Sequence, residues 1–322
     1  MSVNARSGKS RTPSRMNAES SVSALENAGY SIHRVRVSSE GNYAVADADW
    51  NYKDIPHLNV VHTQVRGICG TIEDDLVTSL FTQRVAGISV PIIIVNHADS
   101  DTSQTYFTTL GPFVLIVHTR YIELEPNRTR VETTYHIGGR GLWRLLFPIL
   151  ARVLRKNYAK LMSEDLPMRD RRGELRSRGF TYQTDGAPRS FPETADLLFK
   201  NVVPPKGGDA LHVTEPLAAF RAGADVFVGS DDDRGLRLVR QGDELLAFPR
   251  ICLHEGAGLD CASLSAGKLS CPWHAMKIVP VLRLALRQGE QAEKDGYRIS
   301  VGSDEVAISI DPRRVMEPAV LA

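Results

Sequence analysis

Cysteine is scarce in this sequence: four among 322 residues, at Cys69, Cys252, Cys261 and Cys271. That is too few for a disulfide framework, so apolar packing must build the cores. Excess charge is lacking too. Lys plus Arg number 39 against 38 Asp plus Glu, a net charge of +1. Nothing in that balance points to nucleic acid or another strongly charged partner. No run of about 18 apolar residues occurs, so no transmembrane helix is expected. Residues 1–25 open with MSVNARSGKSRTPSRMNAESS, which has no apolar centre. They read as a disordered arm rather than a secretory signal, with a transit peptide as the lesser reading. Together with reduced thiols, these absences fit a cytoplasmic protein. What is present is 42% hydrophobic and 24% charged residues, enough for two domains with real cores.

Apolar and polar residues alternate from Tyr30 to Val37, the period of a strand, and Gly41-Asn42 marks a turn. Between Ile68 and Ile137, short β-branched and aromatic runs break at Gly87 and at Gly111-Pro112. They predict five further strands in an antiparallel sheet. From Gly141 to Leu175, the residues Leu142, Leu146, Ile149, Leu150, Val153 and Leu161 keep helical spacing. Pro148 predicts an early bend in this helix and Pro167 a late kink. The apolar stretch Leu142–Leu154, with Arg144, Arg152 and Arg155 interspersed, has a composition that can graze a membrane. Packing on the sheet is the favoured reading. Sheet plus long closing helix is a helix-grip pattern, which can enclose an apolar cavity. Residues 181–216 are rich in Pro, Gly and Asp and read as a connector with a short helix at Ala195–Lys200. Short strands then resume. The expected fold is α+β: a START/Bet v 1-like helix-grip domain over 26–180, then a small all-β domain over 217–315.

Two of the four cysteines lie in a pattern. Cys252-Leu253-His254 is followed, after sixteen residues, by Cys271-Pro272-Trp273-His274. Each segment offers one thiolate and one imidazole. Structural zinc usually takes Cys pairs and His pairs, whereas two Cys on one iron and two His on the other hold a Rieske [2Fe–2S] cluster. Gly256 and Gly258 allow tight turns beside the sulfurs. Cys69 and Cys261 read as buried apolar thiols. Upstream stand Asn51, Asp54, His57 and His62, spaced N-x2-D-x2-H-x4-H. Two such His, with a carboxylate from elsewhere, can form a facial triad around one metal. Positions five apart on an ideal helix diverge by roughly 140°, so the helix must break between them, and Pro56 favours that. Asp54 lies on the face of His57 and can orient an imidazole or pass on a hydrogen bond. Asn51 reads equally as a supporting hydrogen-bond partner or a helix cap. His33, His97, His118, His136 and His212 have no partner spacing.

CLHEGAGLD and CPWHAMKI resemble the two cluster loops of Rieske non-haem iron oxygenases, and NYKDIPHLNVVH resembles the iron-binding segment of their catalytic domain. SEDLPMRDRR resembles the late helix that supplies the third ligand. The resemblance implies a [2Fe–2S] cluster on Cys252, His254, Cys271 and His274, and mononuclear Fe(II) on His57, His62 and Asp165. Glu164 is an adjacent competitor for the carboxylate position. It implies Asp54 as the bridge to a Rieske His, usually of a neighbouring subunit in a trimer. It further implies O2 as co-substrate, a ferredoxin or flavin reductase as electron donor, and an apolar small molecule as substrate. The chain departs from the family in two ways. Its domain order is reversed, and Ala275-Met276 stands where Gly-Trp is usual. An alternative from another class is a Rieske electron carrier fused to a lipid- or polyketide-binding helix-grip domain without oxygenase activity. A zinc-bound interaction module is a third.

Overall fold

The computed structural model describes residues 17–73, 76–85, 87–185, 201–205, 207–231 and 234–312. The short helix expected at Ala195–Lys200 lies outside them. Helix α1 (Ala18–Asn27) is capped by Asn17, whose side chain accepts from the Ser20 N–H. Its Ala18 and Val22 pack against Ile116. This corrects the expected disordered arm for residues 18–25. Strand β1 (Ser31–Gly41) follows, then helices α2 (Val45–Lys53) and α3 (Leu58–Val61). Six strands come next: β2 (Val65–Glu73), β3 (Leu76–Val85), β4 (Ile88–Ser100), β5 (Ser103–Leu110), β6 (Phe113–Glu125) and β7 (Arg128–Gly139).

These strands form one antiparallel sheet in the order β1-β7-β6-β5-β4-β3-β2. The meander β2 to β7 is what short turns produce, because consecutive strands pair most readily. Strand β1 lies at the opposite edge from β2. The segment between them, residues 42–64, must therefore cross the full width of the sheet. It is this crossing that carries Asn51, Asp54, His57 and His62.

A 3₁₀ stretch, Gly141–Leu146, leads into helix α4 (Phe147–Ser177). Pro148 sits in the first turn of α4, so it starts the helix rather than bending it. Pro167 lies within the helix, which continues to Ser177. Phe147, Leu150, Ala151, Leu154, Tyr158 and Met162 bury against Val35, Leu115, Val117, Tyr135 and Ile137 of the sheet. Each such side chain contributes roughly 1.5–3 kcal/mol. Sheet and helix enclose a cavity of about 550 Å³.

Beyond α4, β8 (Thr181–Tyr182) pairs with β9 (Val202–Val203). The second domain begins within the stretch expected as connector, because β10 (Leu211–Pro216) pairs with a late strand. Strands β11 (Asp225–Val228), β12 (Leu236–Gln241) and β13 (Glu244–Pro249) precede the hairpin β14 (Ser263–Ser265) and β15 (Lys268–Ser270). Strands β16 (Lys277–Ile278), β17 (Leu282–Ala285), β18 (Gln291–Lys294), β19 (Tyr297–Val301) and β20 (Glu305–Ile310) complete it. They make three sheets: β10-β20-β19-β18, β11-β12-β13-β17 and β14-β15-β16. The two Cys/His loops follow β13 and β15.

Candidate redox site

Asn51 lies in the last turn of α2, and Asp54 ends that helix in a non-helical conformation. Ile55–His57 is a single 3₁₀ turn with Pro56 at its start. Helix α3 lasts one turn, and the chain is already extended at His62. These two breaks remove the divergence an ideal helix would impose. The imidazoles of His57 and His62 meet edge to face, with ring centroids 5.3 Å apart. One atom each from His57, His62 and Asp165 lies within 4.8 Å of the others, and all three residues are buried.

The orientation of each group is specific. His57 Nε2 is 3.5 Å and His62 Nε2 is 3.2 Å from Asp165 Oδ1. None of these contacts has hydrogen-bond geometry at His57, whose two ring nitrogens are buried without hydrogen-bond partners, as is Asp165 Oδ1. Two imidazole nitrogens and a carboxylate oxygen facing one another, with His57 Nε2 and Asp165 Oδ1 unsatisfied, fit a metal with imidazole and carboxylate ligands. Glu164 is turned elsewhere: its Oε2 sits 2.8 Å from His62 Nδ1, the nitrogen turned away from Asp165. Its other oxygen takes hydrogen bonds or ion pairs from Thr63 Oγ1 and Lys160 Nζ. Burial opposes ionisation of Asp165, but the contacts with His57 and His62 hold its carboxyl well below the usual range. Burial likewise opposes a charge on His57, yet Asp165 and Asp54 raise it to about 9 in the metal-free chain.

The Cys/His loops repeat one hydrogen-bond pattern. Cys252 N–H donates to Ala257 O and Gly256 N–H to Cys252 O; Cys271 N–H donates to Met276 O and Ala275 N–H to Cys271 O. Gly256 and Ala275 are thus equivalent, and both have positive φ, 91° and 53°. A Cβ on Gly256 would stand 2.6 Å from Leu175 Cδ1, whereas one on Gly258 meets nothing. Gly256 is therefore the glycine its loop requires and Gly258, contrary to expectation, is not. Cys252 and Cys271 are free and buried. They share a proton, Cys271 falling to about 5 beside Cys252, which is pushed up in turn. Nδ1 of His254 and Nδ1 of His274 are 3.2 Å apart. Two ring nitrogens converge this way around a common metal at about 2 Å from each. The four residues fit a [2Fe–2S] cluster. Cys261, by contrast, is exposed, which corrects its reading as a buried thiol. The Cys69 side chain lies outside the described residues.

Asp54 joins the two sets. His274 Nε2 lies 2.6 Å from Asp54 Oδ2, and the same oxygen faces His57 Nδ1 at 3.5 Å. Burial opposes ionisation of Asp54, but these two imidazoles hold its carboxyl well below the usual range. Burial opposes the charge on His274, and Asp54 outweighs it, raising the imidazole to about 10. Burial lowers His254 to about 4. Its Nε2 has no hydrogen-bond partner and stands 3.9 Å from Glu255 Oε1. The bridge therefore runs through His274, between segments 220 residues apart in one chain.

Residues with no assigned role in the sequence surround this bridge. Arg172, 1% exposed, bonds Asp47 of α2 on one side and Glu255 of the first Cys/His loop on the other. Its guanidinium lies over the rings of Trp50 and Tyr182, 4.2 Å and 3.4 Å from their centroids. Burial pushes Glu255 up to about 7 even so. Asn201, just before β9, donates to Glu255, and Trp50 meets Trp273 at 5.8 Å. Arg169, fully buried, donates twice to Asn51 Oδ1 and sits 3.5 Å from Asp165 Oδ2. Asn51 thus supports Asp165 through Arg169 and caps nothing. The signal was present: Asp165, Arg169, Arg172 and Arg176 recur at helical spacing. Such a stripe more often faces solvent; here the crossing segment covers Asp165 and Arg169, and Arg172 is held between Asp47 and the first Cys/His loop.

His57, His62, Asp165 and Asn51 line the cavity, whose other walls include Phe81, Ile92, Leu115, Val117, Tyr135 and Leu154. The uncommitted His97 and His118 face the other side of the sheet, about Asp99.

Residues 215–281 match the Rieske [2Fe-2S] domain family, so the chain carries a Rieske domain, which implies a [2Fe–2S] cluster. No curated protein matches the chain in sequence. Among solved structures, the chain is similar to an aromatase/cyclase, Zhui, from Streptomyces sp. R1128, at 14% identity and TM-score 0.39, covering 44% of this chain and 96% of that one. It is also similar to a START superfamily protein from Mycobacterium smegmatis, at 10% identity and TM-score 0.38, covering 43% and 97%. Dicamba monooxygenase bound to 3,6-dichlorosalicylic acid matches at 12% identity and TM-score 0.37, covering 51% of this chain and 57% of that one.

Proposed function

We propose that this chain is the terminal component of an oxygenase. In this reading its Rieske domain receives electrons from a ferredoxin or flavin reductase and passes them, within one chain, to mononuclear Fe(II) held by His57, His62 and Asp165. The product is a hydroxylated, demethylated or desaturated apolar small molecule. When bound, the cluster supplies single electrons and the iron supplies open coordination positions for O2.

The single observation that carries the reading is the contact His274–Asp54–His57, which links the two ligand sets through one carboxylate oxygen. Asp54 stays ionised, so it accepts the His274 Nε2–H and faces the His57 Nδ1–H. That fixes both tautomers with the opposite nitrogens, His274 Nδ1 and His57 Nε2, free to ligate. Glu164 does the same for His62 through its Nδ1. Arg169 keeps the remaining oxygen of Asp165 occupied. The apolar cavity walls exclude water and place a substrate against the three side chains.

Anaerobic iron quantitation tests this. The wild type should hold about three irons per chain, and a His57→Ala/His62→Ala variant about two with an unchanged Rieske absorption spectrum. Retention of all iron by the variant refutes the mononuclear site. A wild type holding only two points instead to an electron carrier fused to a binding cavity. Asp54→Asn should keep all three irons and slow oxidation of a pre-reduced cluster by O2 in the presence of substrate.

A further inference from the structure

The 3₁₀ stretch Gly141–Leu146 and the first turn of α4 are together apolar on the outside as well as the inside. Phe147, Leu150 and Leu154 face the sheet. Leu142 is 82% exposed, Leu145 71%, Ile149 61%, Trp143 51% and Leu146 39%. Exposed large apolar side chains are ordinary when scattered and informative when contiguous. Around them Arg140, Arg144, Arg152, Arg155 and Lys156 are exposed, and no acidic residue occurs between Glu132 and Glu164. A chain of net charge +1 thus concentrates positive charge around its most exposed apolar side chains.

We infer that Gly141–Lys156 is a membrane-docking surface, which lays Leu142, Trp143, Leu145 and Ile149 into the interface of an anionic bilayer with the arginines at headgroup level. Three observations select this occupant. The composition, with Trp and Leu on one side and Arg and Lys flanking, is that of a segment lying in the bilayer interface. Among the described residues no helix is long and apolar enough to cross a membrane, so α4 would lie on the bilayer rather than span it. Position along α4 argues against a redox partner. Arg172, which grips the first Cys/His loop, is roughly 35 Å further along the helix axis than Ile149. A donor docked at the apolar end would sit far from the cluster.

The same position gives the docking a purpose. Ile149 lies in helical register with Val153, Lys156 and Lys160, and all three line the cavity. The exposed apolar row runs directly into the cavity wall. A substrate partitioned in the bilayer can therefore enter at the apolar end of α4 while electrons enter at the opposite end. The substrate class that follows is a bilayer-soluble molecule. That last step rests on the oxygenase reading, while the docking does not.

Vesicle flotation of the full chain tests it. Binding should be strong to phosphatidylcholine vesicles containing 30% phosphatidylglycerol, weak to phosphatidylcholine alone, and reduced by salt. Leu142→Asp/Leu145→Asp should lower binding at least tenfold, and Arg144→Glu/Arg152→Glu/Arg155→Glu should abolish the preference for anionic lipid. Thermal unfolding and Rieske absorption should match the wild type in both. His57→Ala/His62→Ala should bind vesicles normally, which separates failure of docking from failure of the metal site. No binding to either vesicle overturns the proposal. So does binding that the variants leave unchanged, or a dimer that Leu142→Asp/Leu145→Asp dissolves without any vesicle binding by the wild type.

Discussion

His57 is buried with both ring nitrogens unsatisfied, a state that costs about 1–3 kcal/mol unless something fills it. In the metal-free chain the neighbouring ionised carboxylates favour a protonated imidazole, raising it to about 9. That charge stabilises the metal-free fold at low pH, and the contribution fades as pH rises through about 9. Metal and proton compete for the same nitrogen, so the sign for binding is opposite. Between pH 6 and 8, Fe(II) affinity measured anaerobically should rise about tenfold per pH unit from this one proton. A flat profile would mean His57 is not a ligand. Glu164 makes a different prediction. Glu164→Gln removes the carboxylate that orients His62 without removing a ligand, and should weaken Fe(II) binding roughly 10–100-fold while the Rieske spectrum stays unchanged.

At the scale of elements, the two Cys/His loops are one device used twice, and they differ in how well the residue at the fifth position suits it. Gly256 accepts its positive φ freely and has Leu175 against it. Ala275 takes a positive φ of 53° with a Cβ, at a cost of about 1 kcal/mol. Gly256→Ala should therefore destabilise the chain by about 2–3 kcal/mol, combining strain with overpacking. Ala275→Gly should raise stability by about 1 kcal/mol. Urea unfolding of the two variants checks the opposite signs. Helix α4 shows a related division of labour. Its first half buries apolar side chains in the sheet. Its second half buries Asp165 and Arg169 against the crossing segment and Arg172 between that segment and the second domain.

At the scale of the molecule, the charged network around Arg172 is the clamp that sets the distance from His274 to Asp54. Arg172→Met leaves Glu255 without its buried cation, while Asp47 keeps Arg176, and should cost about 3–5 kcal/mol in unfolding experiments. Glu255, already raised to about 7, would then take up a proton near neutral pH. The bridge His274–Asp54 closes within one chain, so the reversed domain order does not require a neighbour's cluster. Reoxidation of the reduced cluster in single turnover should be first order, with a rate constant independent of protein concentration over at least a hundredfold range. A rate that falls on dilution would show that a second subunit supplies the electron.

The sequence by itself determined the ligand types and most of the sheet. Alternation and turn residues marked β1 and β3 to β7, because strand periodicity and glycine turns are local properties. The Cys252/His254 and Cys271/His274 pairs were legible for the same reason, since each loop carries its ligands within four residues. Tertiary structure alone decided the rest. It turned the Asp165 carboxylate to Nε2 of His62 and that of Glu164 to Nδ1. It placed Asp54 against His274, 220 residues away, a contact no local pattern encodes. It also converted Arg169 and Arg172 from a stripe that reads as solvent-facing into buried supports, because burial depends on what docks over a helix face. And it split the apolar start of α4 into a side that packs on the sheet and a side that faces outward, a division set by where the sheet ends.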